Sequence, residues 1–225
     1  MRKIIIFMLL LSFVLVGCKD VEVGEFQPGE YQLTEKNEEY EDDATTAMLS
    51  YPVIGGFDKK EIEDKINNTL SERIQLYKEI SGFGLGMGFD ETTNIWYETT
   101  YNSKELLSLK FYLESELSED TKDLIIDTFT FDLNTGEVLE LDNLFKNKQY
   151  KKTLNSKIKK EFDELDIETL REFKEMDENQ GYYLNGSNLV ICFQALDYTK
   201  DEPLEFEIPF GDINNLLKNP IPNQE

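Results

Sequence analysis

Forty-six carboxylates and not one histidine set the limits on the chemistry this chain can do. Without an imidazole there is no Ser-His-Asp or Cys-His catalysis, no His-ligated zinc and no proton shuttle poised near neutral pH. The two cysteines, Cys18 and Cys192, have different sequence surroundings and are expected to remain unpaired. Cys192 sits inside Leu189-Val190-Ile191-Cys192-Phe193, where it reads as a small buried hydrophobe rather than a reactive thiol. The run Asp132-x-Asn134-x-Gly136-Glu137 resembles the start of a calcium loop. Its glycine falls one place early, and the twelfth position is Asn143 instead of a glutamate, so it reads as a tight turn. Between residues 82 and 89, glycine alternates with Phe83, Leu85, Met87 and Phe89. This stretch lacks the Lys-Ser/Thr of a nucleotide loop and follows a helix instead of a strand, so it is expected to be an apolar loop that packs on the domain or meets a partner. No catalytic residue, metal or cofactor is assigned.

The charge balance points to partners more than to reactions. Twenty-three basic residues oppose the 46 acidic ones, a formal net charge of −23. Such a surface repels nucleic acid and anionic polymers and attracts a basic protein or divalent cations; solubility alone is the other reading. Arg2 and Lys3 precede an apolar run from Ile4 to Val16, too short to span a bilayer, which ends in Leu15-Val16-Gly17-Cys18. That order resembles a bacterial lipobox. Residues 1–17 are expected to be a signal peptide, and Cys18 the acylated N-terminus that anchors the chain to the outer face of the cell membrane. Residues 18–43, acid-rich and broken by Pro28-Gly29, read as a tether, and residues 219–225 as a disordered tail.

The elements between 44 and 218 predict an α+β domain: a mostly antiparallel sheet, two main helices packed on it and a short C-terminal helix. Thr45 to Val53 reads as a strand whose Pro52 suits an edge or a strand end. A helix follows, with Asp58 and Glu61 as a capping box and an apolar stripe at Ile62, Ile66, Leu70, Ile74, Tyr77 and Ile80. Thr92–Tyr101 and Leu106–Glu114 read as paired strands joined by an acidic turn, Ser115 to Lys122, to the next hairpin. There Ile125, Phe129, Phe131 and Leu133 alternate, Asn134-Thr135-Gly136 turns the chain, and Val138 to Leu141 returns. Lys148–Asp163 reads as a second helix and Ile167–Met176 as a shorter one. A hairpin around Asn185-Gly186 places Leu189–Phe193 as a central strand. A last strand at Leu204, Phe206 and Ile208 then leads through Pro209 into a short helix, Asp212–Leu217.

The ordered set Tyr51-Pro52-x-Ile54-x-Gly56, Ile66-Asn67, Phe131-Asp132-Leu133-x-Thr135-Gly136-x-x-Leu139-x-Leu141-x-x-Leu144-Phe145, Tyr182-Tyr183-Leu184 and Glu205-Phe206-x-Ile208-Pro209 resembles one bacterial family. This is the family of the extracellular domain of the anti-sigma-V factor and the N-terminal, non-catalytic domain of peptidoglycan deacetylase C. The resemblance covers about Ala44 to Lys218 and implies a surface-displayed domain, which in the anti-sigma-V factor is a receptor for lysozyme, a small basic enzyme. The chain shows neither a cytoplasmic sigma-binding segment nor a transmembrane helix, so it is not expected to be an anti-sigma factor of that design. Family members often carry a histidine-containing turn before the central hairpin, where this chain has Ser115 to Lys122. A non-enzymatic binding module for a basic protein is therefore the leading expectation. Its expected contact residues are Glu116, Glu119 and Asp120 with Phe83, Leu85 and Met87. A structural envelope lipoprotein without a soluble ligand is the alternative, and a carboxylate-dependent wall hydrolase has no motif behind it.

Overall fold

The computed structural model describes residues 31–41, 45–80, 91–118, 121–164 and 168–224. The expected signal peptide and Cys18 lie outside the described residues, as do the glycine-rich stretch with Phe83, Leu85 and Met87, and Glu119 and Asp120.

Two sheets and two long helices make the α+β domain. The larger sheet runs in chain order through β1 (Gln32–Glu41), β2 (Thr45–Gly55), β3 (Glu91–Asn102), β4 (Leu106–Ser118), β5 (Thr121–Asp132) and β6 (Glu137–Val138). Every neighbouring pair is antiparallel except β2 and β3, which run parallel from Thr45↔Glu91 to Leu49↔Ile95. A parallel pair needs a crossover, and helix α1 (Lys60–Ile80) supplies it. The smaller sheet, β7 (Tyr182–Asn185), β8 (Asn188–Phe193) and β9 (Leu204–Pro209), is antiparallel with β8 in the centre; β8 is apolar on both faces because α3 packs on Leu189, Ile191 and Phe193 while Val190 and Cys192 lie on the side that meets β4. Short helices α2 (Leu141–Leu144) and α4 (Phe210–Ile213) flank the long α3 (Gln149–Glu164) in the chain.

Each long helix builds one core. Ile62, Ile66, Leu70, Ile74 and Tyr77 of α1 are buried against Leu107, Leu109, Phe111, Phe129 and Phe131 of the large sheet. Each such aliphatic side chain contributes about 1.5–3 kcal/mol on burial. Ile80 ends the stripe exposed, past the sheet. Tyr150, Leu154 and Ile158 of α3 cover the small sheet, and Phe162 closes an aromatic cluster with Phe173 at 5.0 Å and Phe206 at 4.7 Å.

Several expectations are corrected. Gln32–Glu41, read as part of a coil tether, is the edge strand β1, paired along its whole length with β2. Pro52, read as suiting an edge or a strand end, stands where β2 has β1 as its partner and no neighbour on the β3 side. It lies beyond Leu49, where β2 has already left β3, so its missing N–H takes nothing from that ladder. The residue reaching back at the start of α1 is Glu63, not Glu61: its carboxylate accepts the backbone N–H groups of Phe57 and Gly56 and pairs with Lys60. The return strand after the hairpin turn is only the two residues of β6, because Leu141–Leu144 coils into α2. No helix forms over residues 168–176. Phe173 and Met176 are held there by burial, and Met176 N–H donates to Asn155 Oδ1 at 3.0 Å. The C-terminal helix spans Phe210–Ile213 instead of reaching Leu217. Residues 219–224 are tied down instead of frayed. Tyr101 donates to Pro222 O at 2.7 Å, and the Gln224 side-chain amide brackets the backbone N–H and C=O of Asn102.

Candidate functional site

Strand register places Glu116, the end of β1 and the starts of β2, β3 and β5 at one end of the large sheet. Thr45 lies opposite Glu91, Thr92 opposite Glu116, and Ser118 opposite Thr121. The connections β1–β2, α1–β3 and β4–β5 therefore all leave the sheet at the same end. Lys78, near the C-terminus of α1, pairs there with Glu38 of β1 at 2.5 Å. Of the expected contact residues only Glu116 is among those described. It is half-buried, and Lys122 across the β4–β5 hairpin pairs with it at 3.3 Å. Glu39, Glu41 and Asp123 are exposed nearby, and the sequence of the three connections adds Asp42, Asp43, Asp90, Glu119 and Asp120. Gln32, where the chain enters β1, pairs with Gly55 at the opposite end. Ten residues of strand separate the two ends by about 30 Å.

The turn expected at Asp132–Gly136 is a turn. Asp132 Oδ1 accepts the N–H of Asn134 at 2.8 Å, and Asp132 O accepts that of Gly136 at 2.7 Å. Gly136 has φ +71°, and a Cβ there would stand 3.0 Å from Ile62 O of α1, so conformation and space both require glycine. Among the described residues no group of three His, Cys, Asp or Glu side chains is placed to hold a metal ion.

The sequence reading missed the polar seam between the sheets. Ser108, Lys110 and Tyr112 project from β4 on the face opposite α1. Lys110 is almost fully buried, its Nζ 2.6 Å from Glu205 Oε1 of β9 and within 5.0 Å of the ring centres of Tyr112 and Tyr183. Burial works against its charge, but the bonds to Glu205 and Tyr112 outweigh it and hold Lys110 above the usual lysine range. Cys192 Sγ lies 3.7 Å from the same Glu205 oxygen. Burial, reinforced by that carboxylate, pushes the thiol well up, so it is kept as a thiol and not a nucleophile. Ser108 Oγ meets Thr130 Oγ1 at 2.9 Å and accepts the N–H of Leu184 at 3.1 Å. The Gln194 amide pairs with both backbone groups of Ile126. One signal was available: a lone lysine inside the apolar run Leu106–Leu113 must find a buried anion. These groups join the two sheets.

The structure also shows a two-lobed cleft around the β3–β4 turn, at the end where the chain enters β1. Its lobes enclose about 670 and 660 Å³ and share Ser103, Lys104 and Asn134.

No protein-family model matches the chain. An alignment over 194 residues, covering 79% of this chain, is 29% identical to the anti-sigma-V factor RsiV of Bacillus subtilis and covers 67% of that protein. Two solved structures share the fold. A DUF3298 family member from Bacteroides fragilis has a TM-score of 0.58 at 15% identity, over 85% of this chain and 94% of that one. A DUF3298 family protein from Pseudomonas aeruginosa has a TM-score of 0.58 at 12% identity, over 88% and 99%. With its crossover helix, its six-stranded sheet and the motifs along them, this chain carries a domain similar to that of RsiV, in the fold of the solved DUF3298 proteins.

Proposed function

We propose that this chain is an extracytoplasmic binding module, anchored to the membrane through acylated Cys18, that captures or senses a basic protein. Lysozyme is the first candidate. The observation that carries this is that exposed Glu39, Glu41 and Asp123 lie at the sheet end from which the β1–β2 and β4–β5 connections depart, whose sequence adds Asp42, Asp43, Glu119 and Asp120, in a chain of net charge −23. The similarity to RsiV supports a sensing or binding role in place of catalysis. Glu116, Glu119 and Asp120 supply charge at this end, and Phe83, Leu85 and Met87 supply the apolar contact that a fully desolvated interface centre needs. Carboxylates on the surface of such an interface raise the rate of encounter with a basic partner more than they deepen affinity. The chain enters β1 at the far end, which leaves the acidic end clear of the point where the anchor joins the domain.

Calorimetric titration of the mature chain with lysozyme, at low and at physiological salt, tests this. Micromolar or tighter binding that survives physiological salt, and that weakens on reversing Glu116 and Asp123 to lysine, is the expected result. Binding confined to low salt means unspecific attraction, because exposed charges beyond a Debye length of about 8 Å are screened at physiological salt. Binding under neither condition removes lysozyme as the ligand.

A further inference from the structure

We infer that the two-lobed cleft around the Ser103-Lys104-Glu105 turn binds a neutral, N-acetylated saccharide. It lies at the opposite end of the sheet from the acidic connections and does not depend on the protein-binding reading. Four asparagines, Asn102, Asn134, Asn143 and Asn219, line the two lobes. The charged lining is balanced: Lys59, Lys104 and Lys218 against Asp58, Glu105 and Asp132. In a chain with twice as many acids as bases, a balanced, amide-rich concavity departs from the rest of the surface.

The composition of the lining selects the ligand. An anion would need an excess of cations, and a cation an excess of carboxylates; neither is present. An apolar ligand would leave the amides desolvated and unpaired. Asparagine offers a donor and an acceptor side by side, which matches vicinal hydroxyls and the acetamido group. The apolar part of the lining suits the C–H faces of sugar rings. Phe57 stacks with Tyr31 at 5.3 Å in one lobe, over Ile62 and Leu133, while Leu139, Ile221 and Pro222 form the other. A concave apolar floor with a few convergent polar groups is the usual anatomy of a small-molecule site. The walls are also held in place: Tyr31 donates to Asn102 Oδ1, and the tail carrying Asn219 is pinned through Pro222 and Gln224.

The test is an amide-resolved NMR titration of the full chain in detergent micelles with triacetylchitotriose, with cellotriose as the control. Shifts confined to the side-chain amides of the four asparagines, with a Kd no weaker than about 1 mM, are expected. Asn134→Ala and Phe57→Leu should each weaken binding about tenfold, the effect of one lost polar or stacking contact. Asn219→Ala, on the tail, serves if either variant fails to fold. No shifts, shifts elsewhere, equal binding of cellotriose, or folded variants that bind as the parent does would each overturn the assignment.

Discussion

Removing Glu205 should destabilise this protein far more than removing Lys110, although the two form one ion pair. Lys110 keeps 6% of its side-chain surface in solvent and Glu205 keeps 29%, at 2.6 Å separation. In Lys110→Met the stem packing is retained and the half-exposed Glu205 can hydrate, so the cost should stay near 1 kcal/mol. In Glu205→Ala the ammonium remains between the rings of Tyr112 and Tyr183 with its carboxylate gone. Breaking a buried pair in this way costs about 3–5 kcal/mol. The two ring faces return roughly 1–2 kcal/mol of that through cation–π attraction, leaving about 3 kcal/mol. For a chain of this size that lowers Tm by about 6–12 °C. The double variant Lys110→Met with Glu205→Leu should recover most of the loss, since no charge is then left buried. Urea unfolding followed through the single tryptophan reads this directly, because Trp96 stacks on Tyr112 at 4.9 Å beside the pair. Equal costs for the two single changes, or strict additivity in the double variant, would refute the claim that this ion pair joins the sheets.

Two further outcomes test the local structure. Gly136→Ala should cost about 2 kcal/mol in the same urea assay, because it sets an alanine at φ +71° with its Cβ against Ile62 O. Glu38 is partly buried, which raises its carboxyl, but its bonds to Lys78 and Tyr51 outweigh that and hold it below the ordinary glutamate range. Its folded pKa is thus below the unfolded one, so its contribution is complete above the unfolded value and is lost as pH falls through the folded one. Glu38→Gln should therefore flatten the acid limb of a Tm-versus-pH profile, and an unchanged acid limb would show the bonds to be inconsequential.

Both long helices and most strands could be read from the chain because they depend on patterns within one segment. The spacing of Ile62, Ile66, Leu70, Ile74 and Tyr77 defines a stripe whatever it packs against, and Leu107, Leu109, Phe111 and Leu113 alternate as one face of a strand must. Gly136 could be assigned to a turn from its neighbours alone. Glu116 could be named as a candidate contact, but its place at the same sheet end as Glu41 could not, since it follows from pairings as distant as Thr45 with Glu91.

The failures lie where a partner decides the outcome. Gln32–Glu41 has no apolar alternation, and only the ladder to β2 makes it a strand. Ile125 and Ile126 exchange roles, the first exposed and the second buried, because the second sheet covers the face of β5 opposite α1. The tail looks frayed by composition and is held by Tyr101 and Asn102, more than a hundred residues away in the chain. By itself, the sequence determined the acidity, the absence of imidazole chemistry and the periodic elements, all local or summed properties. Only the tertiary structure decided which strands share a sheet, where Lys110 finds its anion and which surfaces face each other. Those outcomes rest on contacts between distant residues, whose energies no local pattern encodes.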